Sequence, residues 1–181
     1  MKIIGITGTL GAGKGTVVEY LKKKGFRHFS AREFLIGEIK KRNLPVNRDT
    51  MTTVSNELRK INGPSFIVDE LYKEAEKYGQ DSVIESIRTP GEVASLRNRG
   101  NFFLLAIDAD QKKRYERIAT RNSETDRISF EKFKSDEQRE MYSTDPNKQN
   151  LSACMKMADK IILNNGSVED LAEEVEKIIN A

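Results

Sequence analysis

Gly8-Thr9-Leu10-Gly11-Ala12-Gly13-Lys14-Gly15-Thr16 is the stretch that decides the fold. An apolar run, Lys2 to Thr7, leads into it, and helical apolar spacing from Gly13 to Lys24 leads out. A strand that turns on glycines directly into a helix aims successive backbone N–H groups at one point. The helix N-terminus adds its positive end, and the result suits a phosphate. On this reading all nine residues bind a nucleotide's phosphates, Lys14 reaches the β- and γ-phosphates, and the Thr16 hydroxyl faces Mg2+. The usual pattern has Ser or Thr immediately after the lysine; here Gly15 intervenes. The alternative is a plain glycine-rich strand–helix turn.

Outward from this loop, short apolar runs alternate with helical patterns. Strands are expected at 2–7, 26–29, 82–85, 102–107 and 160–163. Helices are expected at about 31–42, 49–61, 64–78, 90–99, 110–121, 129–141, 150–157 and 167–179, with Asn62-Gly63-Pro64 dividing the second from the third. The strands are unbroken apolar runs, as in strands covered on both faces, and they predict a mostly parallel five-stranded sheet between helical layers. Right-handed crossovers then gather the C-terminal strand ends on one rim, where ligands bind. The polar stretches 122–126 and 143–150 read as mobile loops on that rim. No repeat or linker divides the chain, so residues 1–181 are expected to form one domain.

Composition narrows the function classes. The 181 residues are 37% hydrophobic and 33% charged, with 12 Gly and 4 Pro, which excludes collagen-like and low-complexity chains. No apolar run approaches the roughly 20 residues of a membrane span, and no membrane partner is expected. One cysteine, Cys154, and one histidine, His28, exclude a disulfide framework and a zinc cluster. A cytoplasmic protein is expected. The net charge of +3 is small for a nucleic-acid track, yet Arg114, Arg117, Arg121 and Arg127 cluster, with Arg139 close behind. Local clustering on a near-neutral background points to a small anionic ligand.

Arg114, Arg117 and Arg121 share one helix face, with Tyr115, Ile118 and Ala119 expected to pack inward. Guanidinium forks suit phosphate because they donate paired hydrogen bonds; the alternative is a solvated basic face. Glu85 ends the strand beside the phosphate-loop strand, where a carboxylate can hold Mg2+ together with Thr16. Arg88, three residues on, is placed to hold an acceptor's phosphate. Asp108 is a second magnesium candidate, with capping of the following helix the alternative for it and for Asp110.

The loop ending Gly-Ala-Gly-Lys-Gly-Thr resembles that of adenylate kinase and related P-loop nucleoside monophosphate kinases. The resemblance continues in Ser30-Ala31-Arg32-Glu33-Phe34-Leu35, similar to the segment that opens the family's acceptor helix. It continues again in Glu85-Ser86-Ile87-Arg88, similar to its Asp-Gly-x-Pro-Arg strand end, and in Tyr115–Arg121, similar to its Glu-Arg-x-x-x-Arg lid segment. From Leu104 onward the chain is also similar to dephospho-CoA kinases, in Ile107-Asp108-Ala109-Asp110 and in the segment from Ala158 to Ser167. The resemblance implies a three-layer α/β/α P-loop NTPase fold with acceptor-binding helices at about 31–78 and a short helical lid at about 115–142. It implies ATP as phosphoryl donor, Mg2+, and a nucleoside or deoxynucleoside monophosphate as acceptor. Carried onto this chain, Lys14, Arg88, Arg117, Arg121 and Arg127 serve catalysis, Arg117 and Asn165 serve the donor, and Arg32, Glu33 and Arg88 serve the acceptor. Arg127 and Arg139 close over the transferring phosphate, although a salt-bridged helix face fits Arg139 equally. Three departures stand out: Ile36 where the family carries arginine, Ser30-Ala31-Arg32 where dephospho-CoA kinases carry Asp-Ala-Asp, and Glu85 in place of aspartate. A dephospho-CoA kinase-like enzyme and a nucleotide-binding regulator are the alternatives; Asn-Lys-x-Asp, expected of a GTPase, is absent.

Overall fold

The computed structural model describes residues 1–121 and 128–180. Five strands form one sheet: β1 (Ile3–Gly8), β2 (Arg27–Ser30), β3 (Ser82–Glu85), β4 (Phe102–Asp108) and β5 (Lys160–Leu163). The order is β2-β3-β1-β4-β5 and every pairing is parallel. Gly5 of β1 stands in register with Ile84 on one side and Leu104 on the other. All six residues of β1 are buried, as a central strand covered on both faces requires.

Successive strand residues feed two cores. Ile3, Ile84 and Leu104 face a layer built from α2 (Ala31–Lys41), α3 (Arg48–Asn62), α4 (Phe66–Tyr78), α5 (Pro90–Asn98) and α8 (Leu151–Lys156). Ile4, Ile6, Val83, Leu105 and Ile107 face α1 (Lys14–Lys23) and α9 (Val168–Ile179). Each fully buried aliphatic side chain contributes about 1.5–3 kcal/mol. Two further helices, α6 (Gln111–Arg121) and α7 (Phe130–Met141), meet through Tyr115, Phe130 and Phe133, whose ring centroids lie 5.1 to 6.1 Å apart. Among the described residues no helix is long and apolar enough to cross a membrane.

Local chemistry sets the helix starts. Ser30 accepts the Glu33 N–H at 3.2 Å to open α2, Asn47 accepts the Thr50 N–H to open α3, and Thr89 with Glu92 forms a capping box ahead of Pro90. Two expectations need correction. Ala119 is exposed: Ile118 and Arg114 form the buried stripe of α6 instead. The segment 143–150, expected as a mobile loop, is pinned: Asn150 donates from Nδ2 to the Ser143 carbonyl and from its backbone to the Arg88 carbonyl, both at 2.8 Å. The other loop so read, 122–126, and the candidate Arg127 lie outside the described residues.

Candidate active site

The loop after β1 is held from behind. The Thr9 hydroxyl donates to Asp108 Oδ1 at 2.6 Å, Arg114 Nη1 donates to the Leu10 carbonyl at 3.2 Å, and Asn164 Nδ2 donates to the Ala12 carbonyl at 2.8 Å. With those carbonyls drawn outward, the N–H groups of Gly11 and Gly13, across the same peptide planes, point the opposite way. Gly11, Gly13, Lys14, Gly15 and Thr16 line a cleft of about 790 Å3. Gly8, Thr9 and Ala12 stay behind the loop as its support. Gly8, at φ 128°, lies so close to β4 that a Cβ there would strike the Ile107 carbonyl oxygen. Gly13, at φ 101°, is the N-cap of α1 and makes no side-chain cap, so the first amides of the helix are left to the cleft.

Lys14 folds back onto the loop, donating from Nζ to the Gly8 carbonyl at 3.0 Å and the Thr9 carbonyl at 2.6 Å. Burial of the ammonium, then the nearby Arg88 charge, pull its pKa down to about 7, against the opposing pull of Glu85 and Glu140. An anion in the cleft reverses that balance.

The cleft gathers seven basic side chains, Lys14, Arg32, Arg48, Arg59, Arg88, Arg117 and Arg121, against Glu19, Glu85 and Glu140. With Arg59 neutralised by Glu92, six basic side chains still face three acidic ones in the lining, which suits an anion. Arg117 is held by the Asn164 carbonyl at 3.0 Å, while its Nη1 is buried with no hydrogen-bond partner among the described residues. Glu85 is steadied at its edges by Ser30 Oγ at 3.5 Å and His28 Nε2 at 3.8 Å. After it, Ser86 adopts φ 68°, a left-handed conformation where the resembling segment carries glycine. For a magnesium ion, the Thr16 hydroxyl and the Glu85 carboxylate are hard oxygen donors lining one cleft. Phosphate oxygens and water complete such a set, so these residues fit the ion.

Other expectations resolve differently. Arg114 is 5% exposed and serves as a strut, bonded to the Ala109 and Leu10 carbonyls and paired with Glu137 and Asp108. Asp108 lies outside the cleft lining, and its Oδ1 accepts the Thr9 hydroxyl and the Ala109 N–H. Asp110 caps α6 through the Lys112 and Lys113 amides. Asn165 Oδ1 accepts the Asp110 N–H at 2.8 Å, which places it in the loop joining β5 to α9, outside the cleft lining. Glu33 faces a smaller hollow beside His28, Phe34 and Glu74. Arg139 is in a salt-bridged face, with Asp49 at 2.8 Å and Asp136 at 3.2 Å. Cys154 is buried in the core, and that burial pushes its thiol up to about 12.

Two cleft residues, Glu140 and Gln149, and one buried residue outside the cleft lining, Glu92, were not singled out from the sequence. Glu140 bridges Arg48 and Arg88; Gln149 accepts Arg88 Nη1 at 3.0 Å; Glu92 pairs with Arg59 through Nε at 3.0 Å and Nη2 at 2.8 Å. The signal for Glu140 is its spacing, since Phe133, Asp136 and Glu140 form the buried stripe of α7.

Comparison with known proteins fits this geometry. The AAA domain family matches residues 4–142, well over half of the chain. A UPF0200 protein of Methanococcus maripaludis is 30% identical over 187 residues, covering 99% of both chains. The shikimate kinase of Bacteroides thetaiotaomicron superposes with a TM-score of 0.59 at 12% identity, covering 99% of both chains. The dephospho-CoA kinase of Campylobacter jejuni superposes with a TM-score of 0.55 at 16% identity, covering 99% of this chain and 96% of that one. The chain belongs to the AAA domain family, alongside UPF0200 relatives, and its three-layer architecture is the P-loop kinase-like fold.

Proposed function

We propose that the protein is an ATP- and Mg2+-dependent phosphotransferase whose acceptor is a nucleoside or deoxynucleoside monophosphate. The observation that carries this reading is that one cleft is lined both by the glycine loop after β1 and by a second set of arginines on α2, α3 and the segment after β3. Two sets of anion-binding groups in one cleft are what transfer between two phosphorylated molecules needs, because the chemistry is mostly positioning and charge neutralisation.

In this reading the Gly11 and Gly13 amides and Lys14 hold the donor's β- and γ-phosphates. Arg117 and Arg121 neutralise the transferring phosphoryl group; Arg127, expected in the same role, lies outside the described residues. Arg88, with Arg32, holds the acceptor's phosphate in line. Thr16 and Glu85 would hold Mg2+, which supplies charge neutralisation on the donor phosphates. Val168 and the stems of Arg117 and Arg121, which line the same cleft, offer apolar surface for the donor's base. ADP release from Mg-ATP, coupled to a colour readout, tests the reading over nucleoside monophosphates, deoxynucleoside monophosphates and dephospho-CoA. Turnover with a monophosphate is expected. Turnover with dephospho-CoA alone would reassign the acceptor, and slow acceptor-independent hydrolysis alone would replace the kinase with a regulator.

A further inference from the structure

The acceptor half of the cleft already contains an anion. The Glu140 carboxylate, 5% exposed on α7, takes Arg48 Nη1 on Oε1 at 2.9 Å and Arg88 Nη1 on Oε2 at 2.5 Å. Gln149 Oε1 accepts Arg88 Nη1 as well, at 3.0 Å. All four residues line the cleft itself. Burial alone would raise the Glu140 carboxyl, but the Arg88 and Arg48 charges outweigh it and hold it below the ordinary glutamate range. A carboxylate spanning two guanidinium groups occupies the position that two oxygens of a phosphate would take.

Charge then discriminates between ligands. Glu140 places a single negative charge between two guanidinium groups. A dianion attracts the two guanidinium groups more strongly than the single charge of Glu140, whereas a monoanion offers no more charge than Glu140 already supplies. The placement of Glu140 also matters. It sits near the end of α7, and the adjacent Arg139 ties the same helix to Asp49 at 2.8 Å. The first two residues of α3, Arg48 and Asp49, therefore latch the lid helix from both sides.

Resting on the phosphotransferase reading above, we propose that Arg48, Arg88 and Gln149 form the subsite for the acceptor's phosphate monoester. Glu140 fills that subsite as a stand-in anion until the acceptor's dianion displaces it, and the displacement removes one of the two ties between the C-terminal end of α7 and α3, leaving Arg139–Asp49. Glu140 thereby selects phosphate monoesters over phosphodiesters and carboxylates.

The test uses the full chain with its donor half saturated by a non-hydrolysable ATP analogue. The chain contains no tryptophan, so Tyr142→Trp, at the exposed C-cap of α7, reports movement of that helix. Inorganic phosphate, as the dianion, and dimethyl phosphate, a monoanion, are titrated by calorimetry and fluorescence. Phosphate is expected to bind and change the indole fluorescence of the Tyr142→Trp chain, and dimethyl phosphate to bind at least tenfold more weakly without changing it. Glu140→Gln is expected to tighten phosphate roughly tenfold, because the occupied resting state no longer reduces the competent fraction. Equal affinity for the two anions in the wild-type background overturns the proposal, even where Glu140→Gln does not fold. Unchanged or weaker phosphate binding by a folded Glu140→Gln also overturns it. Failure of the ATP analogue to bind refutes the phosphotransferase reading instead, so the two failures are distinct.

Discussion

Raising the pH from 6 to 9 should weaken nucleotide binding through Lys14 alone, and the structure sets the size. In the free protein the Lys14 pKa is lowered to about 7, by burial first and by Arg88 second. The ammonium is therefore nearly complete at pH 6 and about one part in a hundred at pH 9. A triphosphate beside Nζ favours the charged form, so above pH 7 binding must take up a proton. The sign of the Lys14 contribution is fixed: it weakens binding as pH rises through the free-state pKa, and the Lys14→Arg control separates it from titration of the analogue's own terminal phosphate. If the bound-state pKa lies above 9, the loss amounts to about 2.7 kcal/mol, or roughly a hundredfold in Kd. Calorimetry with a non-hydrolysable ATP analogue, in buffers of different ionisation enthalpy, measures both the Kd and the proton uptake. The control is Lys14→Arg, which stays protonated across this range, so that variant should lose the slope. An unchanging wild-type Kd from pH 6 to 9, or the same slope in Lys14→Arg, would refute the reasoning.

Other perturbations follow from the same geometry. Arg59→Ala leaves Glu92, fully buried, without its counter-ion. It should lose about 3–5 kcal/mol in denaturant unfolding, while Arg59→Met with Glu92→Gln, which keeps the cap bonds, should recover about 2 kcal/mol or more. Ser86→Gly relieves a left-handed serine and should raise stability by up to about 1 kcal/mol, measured as a shift of the denaturation midpoint; a loss would show that the Ser86 side chain contributes more than its strain costs. Arg121→Ala should lower kcat more than it raises the donor KM, since its role is to neutralise transition-state charge; a pure KM effect would make it a ground-state binding residue.

The sheet, the glycine loop and the arginine-bearing helix were legible because each is a local pattern. An apolar run, a glycine turn or a three-four spacing needs no knowledge of distant residues. The pairing of charges was not legible in this way. Arg59 and Glu92 lie 33 residues apart and meet only once α3 and α5 are brought to the same face of the sheet. Glu140 reaches Arg48 across 92 residues. Periodicity places a carboxylate on the inner stripe of α7 but does not name the guanidinium waiting there. The same limit explains the readings of Arg114 and Asp108. Both carry the right chemistry for a ligand, yet the loop after β1 takes them as its own supports, because Leu10 and Thr9 come within hydrogen-bond distance first. Asn165 was drawn in the same way to the Asp110 amide.

Calorimetric titration of Mg-ATP into the purified chain at pH 7, with Lys14→Ala beside it, tests most directly whether the loop after β1 holds a nucleotide. Saturable binding at one site, strongly weakened in the variant, is the predicted result. No heat with ATP or GTP in the presence of Mg2+, or equal affinity in the variant, would contradict the account.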